Sequence, residues 1–203
     1  AWNHFRRPGT VVFALVCLGM VLSAPGVLAQ VAVSDDFSGP ALATPPWDFV
    51  DPVGDSSVLQ ANGVVTLSVP AGSNHDLWTQ GNESARIMQA VPDSDLQVEA
   101  KFESMPSAAF QVTGLLFEES PGHYTRVDFY HDGSNLHLFA ASFVANVPSV
   151  HTNVTVSGSS TGWLRVDRTG DTFTVEFSFD GVNWIPGPIF SHNLALSEVG
   201  VFA

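Results

Sequence analysis

The chain has 203 residues and a formal net charge of −13, with 20 Asp and Glu against 7 Lys and Arg; a surface of that sign repels phosphate backbones, so nucleic acid is not an expected partner. Phe (15) and Gly (17) are abundant while charged residues are only 13%, which suits strands joined by tight turns around one core. The only cysteine, Cys17, lies in an apolar leader, so no disulfide framework is available to the rest of the chain.

Residues 1–29 read as a secretory signal. Arg6 and Arg7 supply a positive n-region, Val11 to Leu22 an apolar stretch, and Val27-Leu28-Ala29 small side chains at the −3 and −1 positions. The apolar run falls short of the about 20 residues that span a bilayer. This predicts an exported protein, secreted or at the cell surface, cleaved after Ala29. A helical or disordered leader would then precede one domain over residues 30–203.

The polar segment 30–60 predicts a first strand at Asp35-Asp36-Phe37, a break at Pro45-Pro46 and a second strand from Trp47 to Val50. Asp35, Asp36, Asp48, Asp51 and Asp55 crowd this segment. Oxygen-rich loops suit calcium, which makes a structural calcium ion a candidate without requiring any cofactor. None of the seven histidines falls in H-x-x-x-H or H-x-E spacing, which argues against a zinc site.

Residues 61–69 read as a strand, 72–81 as a loop rich in turn formers, and 84–91 as a strand closed by Pro92. Leu96, Val98, Ala100 and Phe102 alternate with polar residues, as in a half-buried antiparallel strand. Strands follow at 110–118, 123–130, 135–143 and, after Pro148, 150–156. The stretch Trp163 to Trp184 has the clearest pattern. Leu164 and Val166, then Phe173, Val175, Phe177 and Phe179, fall at every second position, with turns at Thr169-Gly170-Asp171 and Asp180-Gly181. No segment after the leader carries a helical period. Short strands at this spacing predict an all-β, antiparallel two-sheet sandwich, taken to be a monomer. The pattern at 197–202 stops at Ala203, so this last strand is expected to be incomplete, with one C-terminal strand missing.

Two segments carry side chains suited to a ligand. In the strand His123–Tyr130, Val127 and Phe129 are the apolar partners. Period two then puts Tyr124, Arg126, Asp128 and Tyr130 together on the opposite face. Aromatic rings stack on the apolar faces of sugars, and Arg and Asp bond hydroxyls directionally. The same four residues also suit a solvated face with an Arg–Asp pair. The loop containing His75, Asp76 and Trp78 adds a second polar-aromatic cluster. Arg86, in an otherwise apolar strand, requires an acidic partner, for which Glu118 and Asp128 are candidates. Catalytic patterns are missing: Glu99 and Glu103 share a face with Lys101 as ordinary surface, and no G-x-S-x-G occurs.

The segments GSNHDLWTQGNESARIMQAV, DLQVEAKFES, FQVTGLLFEESPGHYTRVDFYHDG and WLRVDRTGDTFTVEFSFDGVNW resemble the concanavalin A-like lectin/glucanase superfamily. The likeness is to its secreted bacterial modules of unknown function and, more distantly, to the C-terminal module of family 43 β-xylosidases. It covers residues 35–203. The resemblance implies a jelly roll with one concave sheet, on which many members bind glycans. The E-x-D-x-x-E strand of its glucanase branch does not occur here.

Three functions compete. The first is a non-catalytic carbohydrate-binding module for a polysaccharide or glycan, part of a larger secreted protein. The second is a polysaccharide lyase on the same face, with His75, Tyr130 and Arg86 or Arg126 as base, proton donor and cation. The third is a ligand-free structural module of a multidomain surface protein. The residues expected at a ligand are His75, Asp76, Trp78, Arg86, Glu118, Tyr124, Arg126, Asp128 and Tyr130.

Overall fold

The computed structural model describes residues 13–16, 32–78, 81–158 and 160–203. Its strands are β1 (Phe13–Val16), β2 (Asp48–Val50), β3 (Ser57–Ala61), β4 (Val64–Ser68), β5 (Arg86–Ala90), β6 (Leu96–Phe102), β7 (Val112–Ser120), β8 (His123–His131), β9 (Leu136–Val144), β10 (Val147–Thr155), β11 (Gly162–Thr169), β12 (Thr172–Ser178), β13 (Ile185–Ser191) and β14 (Glu198–Phe202). No helix occurs among the described residues.

The strands form a five-stranded sheet, β1-β6-β11-β12-β13, a seven-stranded sheet, β10-β9-β8-β7-β14-β5-β2, and the separate β3-β4 hairpin. The two main sheets stack as a sandwich with every pairing antiparallel. The alternation in β6, β11 and β12 drives this stacking. Val98 pairs with Val166, and Val166 with Val175, so their apolar side chains form one continuous face. That face meets Ile87, Leu115, Phe117, Val127, Phe129, Leu138 and Val201 of the larger sheet in one buried core. Burying such side chains contributes about 1.5–3 kcal/mol each, which is what holds a cysteine-poor chain together.

Four features differ from the sequence reading. The signal-peptide segment lies outside the described residues except for Phe13–Val16. There the backbone pairs with β6 as an edge strand instead of being helical or disordered. At residues 35–37 Asp35 makes only an isolated bridge, and Phe37 turns at φ 51°. Pro148 does not break its strand but sits inside β10 opposite Phe143. β10 is an edge, where a residue without an N–H does not interrupt a ladder. Finally, Glu198–Phe202, expected as the last strand, takes a central place in its sheet that the spacing does not contain, paired with both β5 and β7.

Of the aspartates considered for calcium, Asp35, Asp36 and Asp51 accept backbone N–H bonds in turns. Asp35 accepts hydrogen bonds from the Phe37 N–H and the Trp47 indole, and Asp51 from the N–H groups of Gly54 and Ser56. Among the described residues no three side chains of His, Cys, Asp or Glu gather as a metal-binding group.

The outer face of the five-stranded sheet is a polar lattice. Arg165 donates to Glu99 and stacks its guanidinium 3.7 Å from the Trp184 ring centroid. The Arg165 side chain is 25% exposed, so solvent screens the ion pair. Arg165→Ala is expected to lower stability by about 1 kcal/mol or less, measured as a shift in the urea midpoint.

Candidate ligand-binding cleft

The seven-stranded sheet has a second, outward face, and strand register determines what lies on it. On β8 the inward residues are Val127 and Phe129, both in the inter-sheet core. Tyr124, Arg126, Asp128 and Tyr130 therefore point outward, opposite Phe143, Ala141, Phe139 and His137 of β9. On the other side they face Glu118, Leu116, Gly114 and Val112 of β7. Gly114 is required by close packing in this row. A Cβ there would stand 2.4 Å from both the Val127 carbonyl oxygen and the Asp128 Cβ, far inside van der Waals contact.

Much of this face is covered. Leu77, Met88, Leu116, Tyr124, Phe139, Ala141, Phe143 and Phe202 form a second buried cluster. The loop before β5 closes over it. Tyr124 stacks on Phe143 at 4.3 Å and donates its hydroxyl to the Leu77 carbonyl at 2.9 Å; burial pushes that hydroxyl's pKa up. Trp78 sets its ring edge-to-face against Phe139 and Phe143, at 5.9 and 5.6 Å. The Asp76 carboxylate accepts from the Trp78 N–H at 2.6 Å, which shapes the loop. His75 binds Asp55 at 2.7 Å and anchors the loop at its other end.

Beside the covered part opens a cleft of about 1020 Å³, whose lining runs from this face round to the core residues Ile87 and Val201. One wall is the β4 strand with the loop through His75, Asp76, Leu77 and Trp78. The other is the connection from Glu103 to Gln111, and the floor is Val112, Arg126, Tyr130, Phe139 and Phe202. A cavity of this size, mostly apolar with a few placed polar groups, has the make-up of a small-ligand site. Arg126 is the charge at its floor. Its Nε and Nη2 donate to Asp128 at 2.8 and 2.7 Å. Its guanidinium also lies 5.0 Å from the Phe139 ring and 5.5 Å from that of Phe202. Asp128 is fully buried; burial pushes its carboxyl up and Arg126 pulls it back. Tyr130 donates to Asn153 Oδ1 at 3.0 Å and stacks on His137.

Of the nine residues expected at a ligand, the structure lines the cleft with His75, Asp76, Trp78, Arg126 and Tyr130. Tyr124 and Asp128 share the sheet face but are wholly buried beneath the loop and the Arg126 guanidinium. Arg86 and Glu118 are also outside the cleft lining. They form a buried pair, Nε to Oε2 at 3.5 Å, whose side chains are 6% and 5% exposed. Asn82 donates to the same Glu118 oxygen at 2.8 Å, and Arg86 Nη1 donates to the Ser84 carbonyl. The loop is thereby fastened to the sheet. The sequence reading missed Phe110. It stands on the cleft wall 89% exposed, at φ 67°, with its N–H bonded to the His131 carbonyl. A β-carbon residue at positive φ carries a conformational cost, and such outliers concentrate at functional positions. The spacing predicts Phe110 as the first residue of the strand 110–118, whereas β7 begins at Val112 and Phe110 lies in the turn before it.

Neither a family model nor a curated protein matches the sequence. Solved structures do match its fold. A protein of unknown function from Saccharomyces cerevisiae superposes with TM-score 0.64 at 16% identity, over 78% of this chain and 86% of its own. The GH43 protein BlXynB from Bacillus licheniformis gives TM-score 0.64 at 14% identity over 83% of this chain. The match spans only 34% of BlXynB. The carbohydrate-binding module CBM66 from Bacillus subtilis gives TM-score 0.56 at 11% identity, over 78% of this chain and 87% of its own. The chain shares the β-sandwich fold of these proteins, as the resemblance to concanavalin A-like modules implied.

Proposed function

We propose that this chain is a non-catalytic carbohydrate-binding module that holds part of a glycan in the cleft between Trp78 and Phe110. The observation that carries the reading is that pairing of exposed aromatics with a charged floor. Trp78 and Phe110 are both exposed in the cleft lining, which also includes Arg126 and Tyr130. Exposing a large aromatic ring on a polar loop has no folding benefit, whereas a sugar's apolar face can cover it. Among the proteins of like fold, one is itself a carbohydrate-binding module and another a GH43 protein, which supports a glycan over other small ligands. The lyase alternative has less support. Tyr130 already donates its hydroxyl to Asn153, His75 is bound to Asp55, and Arg126 is clamped by Asp128. Export and cell-surface location belong to the same proposal, as does membership in a larger polysaccharide-active protein.

The test is a glycan array probed with the full chain, followed by titration of the strongest oligosaccharide. Phe110→Ala is expected to weaken binding about fivefold, from the loss of one stacking contact worth roughly 1 kcal/mol. Its melting temperature should stay unchanged, since the ring is 89% exposed. A silent array, or a Phe110→Ala variant that binds as well as the parent, would overturn the reading. An ultraviolet absorbance rise on alginate, pectin or glycosaminoglycan would move it to the lyase.

A further inference from the structure

Outside the residues that line the cleft, two histidines distant in sequence meet. His123 opens β8, and His192 immediately follows β13. Their Nε2 atoms are 3.2 Å apart, across 69 residues of chain. Each ring's other nitrogen already has an oxygen partner. His123 Nδ1 lies 3.2 Å from Glu119 Oε2, and His192 Nδ1 lies 2.7 Å from Thr125 Oγ1. An ionised carboxylate only accepts, so Glu119 puts the proton of His123 on Nδ1 and leaves Nε2 a lone pair. The Thr125 hydroxyl can accept from His192 Nδ1 in the same way. The carbonyl oxygen of Asn193 completes the cluster, 3.1 Å from His123 Nε2.

His192 Nε2 and the Asn193 carbonyl oxygen thus both stand within hydrogen-bonding distance of His123 Nε2, at 3.2 and 3.1 Å. A proton on His123 Nε2 satisfies His192 Nε2 and the Asn193 carbonyl only as one shared, bifurcated bond. A cation satisfies all three. Two nitrogens each about 2.0–2.1 Å from a tetrahedral zinc stand about 3.4 Å apart, close to the separation here. Histidine ligands of metals characteristically donate their remaining N–H to a carboxylate or hydroxyl oxygen, which orients the ring and fixes its tautomer. Glu119 and Thr125 occupy those positions. Glu119 also accepts from the Ala195 N–H at 2.8 Å, so the outer oxygen is itself held. The His123 side chain is 23% exposed, which provides a way in from solvent.

We propose that His123 Nε2, His192 Nε2 and the Asn193 carbonyl oxygen bind one divalent cation of the zinc, copper or nickel type. Imidazole suits these ions better than calcium or magnesium. The ion would clasp the β13-β14 connection to the start of β8, a cross-link in a domain without disulfides. With two side-chain ligands and a carbonyl, affinity should fall below that of a four-residue structural zinc site.

The test uses the untagged full chain titrated with zinc chloride by calorimetry, with a parallel melting curve. One ion per chain and a zinc-dependent rise in melting temperature are expected. His123→Gln should lower zinc affinity at least tenfold and abolish the rise, whereas His131→Gln should change neither. His192 is buried, and its variant risks misfolding, so the rim variant His123→Gln carries the mutational test. Nitrogen-15 NMR of the parent provides a second readout, in which both Nε2 resonances move on zinc addition. The proposal is overturned by any of three results: no saturable zinc binding, unchanged binding in His123→Gln, or a proton shared between the rings that zinc does not displace.

Discussion

Replacing Arg86 with alanine is expected to lower folding stability by about 3–5 kcal/mol, the cost of removing one partner from a buried ion pair. The residue sits at the centre of a polar network under the cleft-forming loop. Among the described residues its one carboxylate contact is Glu118 at 3.5 Å, outside hydrogen-bond geometry, and none accepts a hydrogen bond from its Nε. The guanidinium is held instead by the Asn82 and Ser84 carbonyls. Desolvation makes this a poor place for a lone charge, and it lowers the arginine's own pKa. Glu198 makes matters worse when the arginine is gone, because it pairs directly across from Glu118 in the strand register. Burial first, and then Glu118, raise the Glu198 pKa above its ordinary 4.5. A group raised in the folded state favours folding while protonated, and that contribution is lost as pH climbs past 4.5. Without Arg86 this repulsion is uncompensated, so the deficit of Arg86→Ala should be largest at pH 7 and shrink below about pH 4.5. Urea unfolding at pH 7 and pH 4 measures it. A deficit under 1 kcal/mol at pH 7 would mean that the pair is not what fastens the loop.

Trp78→Ala is expected to weaken glycan binding about tenfold, equivalent to roughly 1.4 kcal/mol. The indole is the larger of the two aromatic walls, and Phe139 and Phe143 hold it from behind by edge contacts. That support fixes the ring before a ligand arrives, so little side-chain entropy is lost on binding. The variant should stay folded. Trp78 is 37% exposed, and the inter-sheet core does not include it. Isothermal titration with the array-selected oligosaccharide, beside a melting curve, separates the two effects. Lost binding with a collapsed melting transition would assign Trp78 to stability; unchanged binding would remove it from the site.

Little of the cleft could be read from the one-dimensional pattern. Tyr124, Arg126, Asp128 and Tyr130 share a face because strand side chains alternate, and the sequence is enough to say so. Whether such a face is wet or covered depends on a loop that packs over it. Leu77 and Trp78 seal Tyr124 and Phe143 while leaving Tyr130 at the rim. The spacing predicts Phe110 as the start of a strand, not as an exposed ring, and it stands 89% exposed where the backbone turns to φ 67°.

By itself, the sequence determined the sandwich. Period-two alternation in Leu96–Phe102 and Leu164–Phe177 demands strands with one buried face, and turn residues such as Asp180-Gly181 set their ends. It also implied that Arg86 needs a carboxylate, because an unpaired guanidinium among apolar neighbours is too costly. Tertiary structure decided which carboxylate. Asp128 stands against Arg126 on its own strand, which leaves Glu118 for Arg86. It decided, too, that Glu198–Phe202 is a central strand and that His123 meets His192 across 69 residues. Each of these depends on strand order in a sheet. Strand order follows from which faces bury most together, a property of the assembled sheets that local spacing does not contain.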